Sequence, residues 1–148
     1  PKNIPQPSSS KFKQVDDLLS GWKAGKPLDK SRAKDWSTHE WLHFLKNLPA
    51  DLSPGQMRTV DDFGNFSASG NAEIITAWGV LSIRNGYTKM DAKLESFLIN
   101  TGRRKFLSPL YLELAKTEQG KKRAKAIYEQ ARPNYHFVAT NTFDKLLN

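Results

Sequence analysis

The stretch His39-Glu40-Trp41-Leu42-His43 has the residue types and the spacing of a zinc peptidase motif. Two histidines at i and i+4 lie on one face of a helix, where both can bind zinc, and the glutamate between them can act as a general base. A catalytic zinc also needs a third protein ligand. Zinc peptidases with this motif carry the third ligand at one of two positions, as a glutamate or as a histidine. In this chain those positions hold Asp62 and Pro49, respectively. The sequence therefore does not complete the motif.

The helix predicted around this motif turns its histidines away from the core. At about 100° per residue, four apolar side chains share one face of the helix: Trp41, Phe44, Leu45 and Leu48. His39 and His43 point to the opposite side, next to Lys46, whose charge would oppose a bound dication. Ser37 and Glu40 have the spacing of a capping box, which gives Glu40 a structural role.

We therefore interpret His39, Glu40 and His43 as a chance match to the motif and expect no metal site in this chain. The alternative is a small metallopeptidase that uses His39 and His43 as ligands. That alternative predicts stoichiometric zinc in the purified chain, which metal analysis measures.

Apolar residues recur at helical spacing in eight segments of the chain. These segments are 15–22, 41–48, 57–60, 72–83, 90–98, 107–114, 124–131 and 139–146. Start and stop signals such as Ser53-Pro54 and Gly86 lie at their boundaries. The alternation of apolar and polar residues that is typical of strands is missing. The starts of the predicted helices recur about every 16 to 18 residues, which is half the length of a two-helix repeat. The sequence predicts an all-α fold of about eight helices stacked as antiparallel pairs.

The composition indicates one globular domain. The chain has 148 residues, 38% hydrophobic residues and no cysteine, so disulfides and thiolate metal sites are excluded. It has no apolar run long enough to cross a membrane and no signal-peptide pattern, and we expect a cytoplasmic protein. Residues 1–12 are rich in proline and serine and are predicted to be a linker, which leaves 13–148 as the domain.

The net charge of +8 raises the possibility of an anionic partner. The densest basic run is Lys121-Lys122-Arg123 with Lys125, on a predicted helix whose other face is apolar. Aromatic residues are not interleaved with these cations, as a surface that stacks single-stranded bases would require. We interpret the run as a solvated helix face and do not expect nucleic acid binding. The alternative is a helical scaffold that binds protein or nucleic acid through its basic surface.

Several short stretches together carry a resemblance to a known family. They are Ser37-Thr38-His39-Glu40 with Phe44-Leu45, Asn65-Phe66, Asn71-Ala72-Glu73-Ile74 leading to Trp78, and Thr101-Gly102-Arg103-Arg104-Lys105-Phe106 with Pro109-Leu110. In these stretches the chain resembles the C-terminal domain of leukotriene A(4) hydrolase-like zinc aminopeptidases. The Gly102 to Phe106 segment is the most specific of them.

The resemblance implies a two-layered superhelix of antiparallel helices, similar to armadillo and HEAT stacks. It implies that zinc belongs to a separate catalytic domain that precedes this chain in its parent protein, so that the chain alone would be inactive and hold no cofactor. It also implies that this domain walls the substrate channel and that Arg103 and Lys105 bind the C-terminal carboxylate of a short peptide substrate. The expected partners are thus the catalytic domain and the peptide.

Overall fold

The computed structural model describes residues 7–148, with side chains from Ser10 onward. It contains eight α-helices and, within the described residues, no strand, so the all-α prediction is confirmed. The helices are α1 (Pro7–Lys23), α2 (Thr38–Lys46), α3 (Pro54–Gly64), α4 (Ala72–Arg84), α5 (Asp91–Asn100), α6 (Arg104–Leu114), α7 (Glu118–Ala131) and α8 (Phe137–Leu147). Short 3₁₀ turns join several of them.

The first helix begins earlier in the chain than the sequence predicted. Helix α1 starts at Pro7, so residues 7–12 of the predicted linker are helical. The remaining residues of that linker, 1–6, lie outside the described part of the chain. That residues 1–12 connect to another domain stays a prediction.

Local signals in the sequence set several helix ends. The Ser53 side chain accepts a hydrogen bond from the Gln56 amide and Pro54 occupies the first turn, so α3 begins where predicted. Asn65 ends the same helix in the left-handed region at φ 52°. Gly86 follows α4 at φ 66°, a conformation that costs glycine little, and this confirms the predicted cap.

The helices pack in two layers, as expected for a stack of helix pairs. Helix α2 packs against α4, α4 against α6, and α6 against α8, which places these helices side by side in one layer. In the second layer α5 packs against α7, which also contacts α6 and α8. Helix α1 packs on α2. The exposed side of the first layer is formed by α2, α4 and α6 next to one another, and it positions the candidate site.

Helix α4 lies at the centre of the core. The indole of Trp78 is fully buried, lies 5.3 Å from the Phe66 ring and 5.6 Å from the Tyr87 ring, and donates from Nε1 to Ser67 Oγ at 3.0 Å. Gly79 allows α4 to approach its neighbours, because a Cβ there would lie 2.7 Å from a Leu110 methyl group. Six of the 13 residues of α4 are buried, Trp78 and Gly79 among them.

A polar network joins α8 to α7 at the C-terminal end of the fold. Asp144 accepts hydrogen bonds from Arg132 Nε at 3.1 Å and Nη2 at 2.9 Å, and from the Tyr128 hydroxyl at 2.5 Å. The hydrogen bonds from Arg132 and then Tyr128 lower the pKa of Asp144 to about 2. Burial and the nearby Asp144 raise the pKa of Tyr128 to about 12, so its hydroxyl stays protonated and donates at neutral pH.

This network predicts a pH-dependent contribution to stability. The pKa of Asp144 is lower in the folded chain than its ordinary value of 3.8, so the carboxylate stabilises the fold above that value. The contribution is lost as the pH falls through about 2. The difference in free energy of unfolding between the wild type and Asp144→Asn, measured by urea denaturation, should therefore shrink between about pH 5 and pH 2. A difference that stays constant over this range would contradict the assignment.

Candidate functional site

The N-terminus of α6 brings Arg103 and Lys105 together around one aromatic ring. Arg103 is the N-cap of the helix and Lys105 lies in its first turn, and both side chains are exposed. The Arg103 guanidinium lies 5.3 Å from the centre of the Phe106 ring, and the Lys105 ammonium lies 5.6 Å from it. Such cation–π contacts hold both cations near the same ring. Phe106 itself is largely buried and fixes this arrangement.

The surroundings of this pair favour an anion. The first turn of α6 contains no acidic residue, and the Arg103 side chain does not cap the helix. A helix N-terminus carries partial positive charge on its free amide groups, which adds to the two side-chain charges. Within residues 7–148, the ion pairs of the structure include neither Arg103 nor Lys105. The two cations are thus available to a ligand.

Arg104 differs from its two basic neighbours. Its Nη1 donates a hydrogen bond to Thr142 Oγ1 on α8 at 3.2 Å. The side chain therefore contacts α8, whereas Arg103 and Lys105 contact Phe106. This difference makes Arg104 a control of the same charge and almost the same position in the chain.

An apolar groove begins next to the cation pair and runs across the first layer. We call it the α2–α4–α6 groove after the helices that line it, and it encloses about 550 Å³. Lys105 and Phe106 lie in its lining, so it shares two residues with the cation site. Most other lining residues are apolar, among them Leu42, Leu45, Leu48, Ala77, Val80 and Pro109.

Sequence reasoning missed this groove. The apolar spacing over 72–83 predicts a helix, but it does not show that Ala77 and Val80 are only half-buried and line the groove. The helical period shows which residues share a face and does not show how far a neighbouring helix covers that face. Pro109 is a local sequence signal for an irregularity at this place. It lies inside α6 and has no backbone N–H, so it interrupts the hydrogen bonding of that helix.

A second charged cluster surrounds Arg84 on the groove wall. Arg84 Nη2 lies 3.1 Å from Glu113 Oε1, and Lys116 Nζ lies 3.0 Å from the same oxygen. Burial alone would raise the pKa of Glu113, but the hydrogen bonds from Arg84 and Lys116 outweigh burial and lower it. Glu113 is therefore ionised at neutral pH and pairs with both cations, which leaves the cluster with an excess of positive charge.

Glu40 of the zinc-motif stretch has the structural role that the sequence indicated. Its carboxylate is buried and accepts hydrogen bonds from the Ser37 amide at 3.1 Å and the Ser37 hydroxyl at 2.8 Å. The predicted capping box is confirmed. Burial would raise the pKa of Glu40, but the Ser37 hydrogen bonds and the Lys11 ammonium at 3.6 Å outweigh it, and the pKa is lowered.

The two histidines of that stretch have different surroundings. His43 Nε2 lies 2.8 Å from Asp16 Oδ1, and its ring stacks on Phe12 of α1 at 4.3 Å, whereas His39 is exposed. Asp62, considered above as a third ligand, is exposed too. From residue 7 to the C-terminus, no group of three or more His, Asp or Glu side chains could hold a metal ion. That the stretch binds no zinc stays a prediction.

The basic run on α7 is partly paired. Arg123 Nη2 lies 3.4 Å from a carboxylate oxygen of Asp91 and donates to the Asp91 carbonyl at 3.4 Å. Lys122 and Lys125 are exposed, as expected for a solvated helix face. That nucleic acid does not bind this surface stays a prediction. None of the helices described from residue 7 onward combines the length and the apolar character needed to span a membrane.

Comparison with known proteins identifies similar chains. A family model described as "Leukotriene A4 hydrolase, C-terminal" matches residues 36–147, which include all the residues of the cation pair and the groove. Human aminopeptidase B is 28% identical over 112 residues, which cover 71% of this chain and 17% of that protein. The chain thus spans only a small part of the length of this relative.

Proposed function

Because the chain belongs to the family of leukotriene A4 hydrolase C-terminal domains, we propose that it is the C-terminal helical domain of a zinc aminopeptidase. In this proposal the α2–α4–α6 groove faces the substrate channel and forms one of its walls. Residues 1–12 lead from the catalytic domain, which holds the zinc ion. The present chain supplies no catalytic residue and is inactive without that domain. That the protein is cytoplasmic stays a prediction from the sequence.

We propose further that Arg103 and Lys105 bind the C-terminal carboxylate of a peptide substrate. The observation that carries this proposal is their joint position on Phe106, at the N-terminus of α6 and without a carboxylate partner within the described residues. A guanidinium can bind a carboxylate through two parallel hydrogen bonds, and an ammonium adds a compact charge. The helix N-terminus contributes in the same direction.

The contribution of this site to the reaction is positioning. A short peptide held by its C-terminal carboxylate has its N-terminal end fixed at a set distance, where the catalytic domain can cleave the first peptide bond. Holding a substrate in a productive geometry lowers the entropic part of the activation barrier. The site therefore favours short peptides with a free carboxylate.

The proposal predicts the effect of Arg103→Ala in the full-length enzyme. We expect kcat/KM for a tripeptide with a free carboxylate to fall about 10- to 100-fold, the usual effect of losing a hydrogen bond to a charged group. The corresponding tripeptide amide, and chromogenic amides of single amino acids, should be hydrolysed almost as before. Steady-state kinetics on this matched pair of peptides measures the effect.

Arg104→Ala is the matched control, because Arg104 contacts Thr142 on α8. It removes the same charge from the adjacent position and should leave the ratio of kcat/KM between tripeptide acid and amide unchanged. If Arg103→Ala lowers kcat/KM equally for the acid and the amide, carboxylate binding by Arg103 is wrong.

A further inference from the structure

We propose that the α2–α4–α6 groove binds the side chain of the substrate's C-terminal residue and makes the enzyme prefer peptides that end in a large apolar residue such as leucine or phenylalanine. This inference rests on the proposed function, because it starts from a carboxylate held by Arg103 and Lys105. It adds a substrate class to that site.

The position of the groove relative to the cation pair carries the first step. Lys105 and Phe106 belong to the cation pair's site and to the groove. Lys105 is one of the two cations, Phe106 is the ring that both cations contact, and both residues line the groove. The carboxylate and the side chain of a C-terminal residue branch from the same Cα atom. A carboxylate bound by the cations therefore leaves the side chain at the Phe106 ring, at the end of the groove.

The size and lining of the groove determine which side chain fits. Its volume of about 550 Å³ exceeds what a single side chain needs, so leucine and phenylalanine both fit. The half-buried surfaces of Ala77, Val80 and Pro109 offer an apolar contact. Apolar area removed from water here favours binding, and for a side chain of this size the gain is on the order of ten- to a hundred-fold.

The apolar part of the lining disfavours the other classes of side chain. The charged residues Lys46, Glu73 and Arg84 also belong to the lining, and Arg84 is held in an ion pair with Glu113 at 3.1 Å. A charged side chain placed against the apolar part of the lining, at Ala77, Val80 and Pro109, would lose hydration that these residues cannot replace. Glycine at the C-terminus would leave the groove unfilled. The preference therefore follows from the lining and not from the cation pair alone.

The test uses the full-length enzyme and tripeptides that differ only in the C-terminal residue, each as free acid and as amide. For the wild type, kcat/KM for the peptide acid ending in leucine or phenylalanine should exceed that for the one ending in glycine about tenfold or more. Ala77→Trp fills the groove and should bring the ratio of kcat/KM between the peptides ending in leucine and in glycine close to one. The ratio of kcat/KM between peptide acid and peptide amide should stay as in the wild type. Val80→Thr changes polarity without changing volume and should lower the leucine to glycine ratio severalfold.

Ala126→Trp on the exposed face of α7 is the control for the added bulk and should change neither ratio. A leucine to glycine ratio near one in the wild type, with the acid still preferred over the amide, overturns the inference and leaves the proposed function standing. Loss of the preference for the acid would instead overturn the proposed function. If Ala77→Trp and Val80→Thr lower kcat/KM equally for all peptides, the catalytic domain covers the groove and the inference is wrong.

Discussion

Replacement of Trp78 by alanine is expected to lower the free energy of unfolding by about 3 to 5 kcal/mol. The indole is fully buried in α4 and packs against Phe66 and Tyr87, so its removal leaves a cavity that the rigid helices around it cannot fill. The variant also removes the hydrogen bond from Nε1 to Ser67. Because α4 provides the central wall of the groove, we expect the groove to lose its shape before the chain unfolds completely.

Urea denaturation followed by circular dichroism measures this effect. Trp22→Ala provides the control, because Trp22 lies half-buried on α1 at the edge of the core. Its loss should cost clearly less than that of Trp78. If the two variants lose the same stability, Trp78 is not the centre of the core.

The second large effect is expected from Asp61→Ala, at about 3 kcal/mol or more. The buried Asp61 carboxylate accepts hydrogen bonds from the Ser67 amide at 2.9 Å, the Ser67 hydroxyl at 2.7 Å and the Tyr87 hydroxyl at 2.6 Å. Lys89 lies 3.7 Å from it. Alanine would remove the buried acceptor of the half-buried Ser67 and Tyr87 donors, and a donor left unsatisfied costs more than the net gain of a bond.

The neighbouring residue supplies a close control for this prediction. Asp62 has the same side chain one position later and is exposed. Asp62→Ala should change the free energy of unfolding by no more than about 0.5 kcal/mol, as is usual for surface positions. Equal losses for the two variants would show that the Asp61 network does not stabilise the fold.

The helices could be predicted because local signals and apolar period agree in this chain. Ser37 with Glu40, Ser53 with Pro54, and Gly86 each mark a boundary that the structure confirms. The apolar period of α6 begins at residue 107, whereas the helix begins at Arg104. The first turn of α6 is basic and exposed, so the apolar period carries no signal there.

The candidate site was less accessible to sequence reasoning. Arg103 and Lys105 were identified through the family resemblance, since by residue type alone they could equally form a basic surface patch. Which of Asp61 and Asp62 is buried, and which half-buried residues of α2, α4 and α6 meet in one groove, depend on helix packing. Packing of this kind joins residues far apart in the chain, and their spacing does not encode it.

The central claim is that Arg103 and Lys105 bind the substrate's carboxylate, and a crystal structure of the full-length enzyme with a non-hydrolysable tripeptide analogue tests it most directly. We predict that the C-terminal carboxylate lies within hydrogen-bonding distance of the Arg103 guanidinium and the Lys105 ammonium, above Phe106. A bound analogue whose carboxylate contacts other residues, with the N-terminus of α6 facing solvent, would contradict the claim.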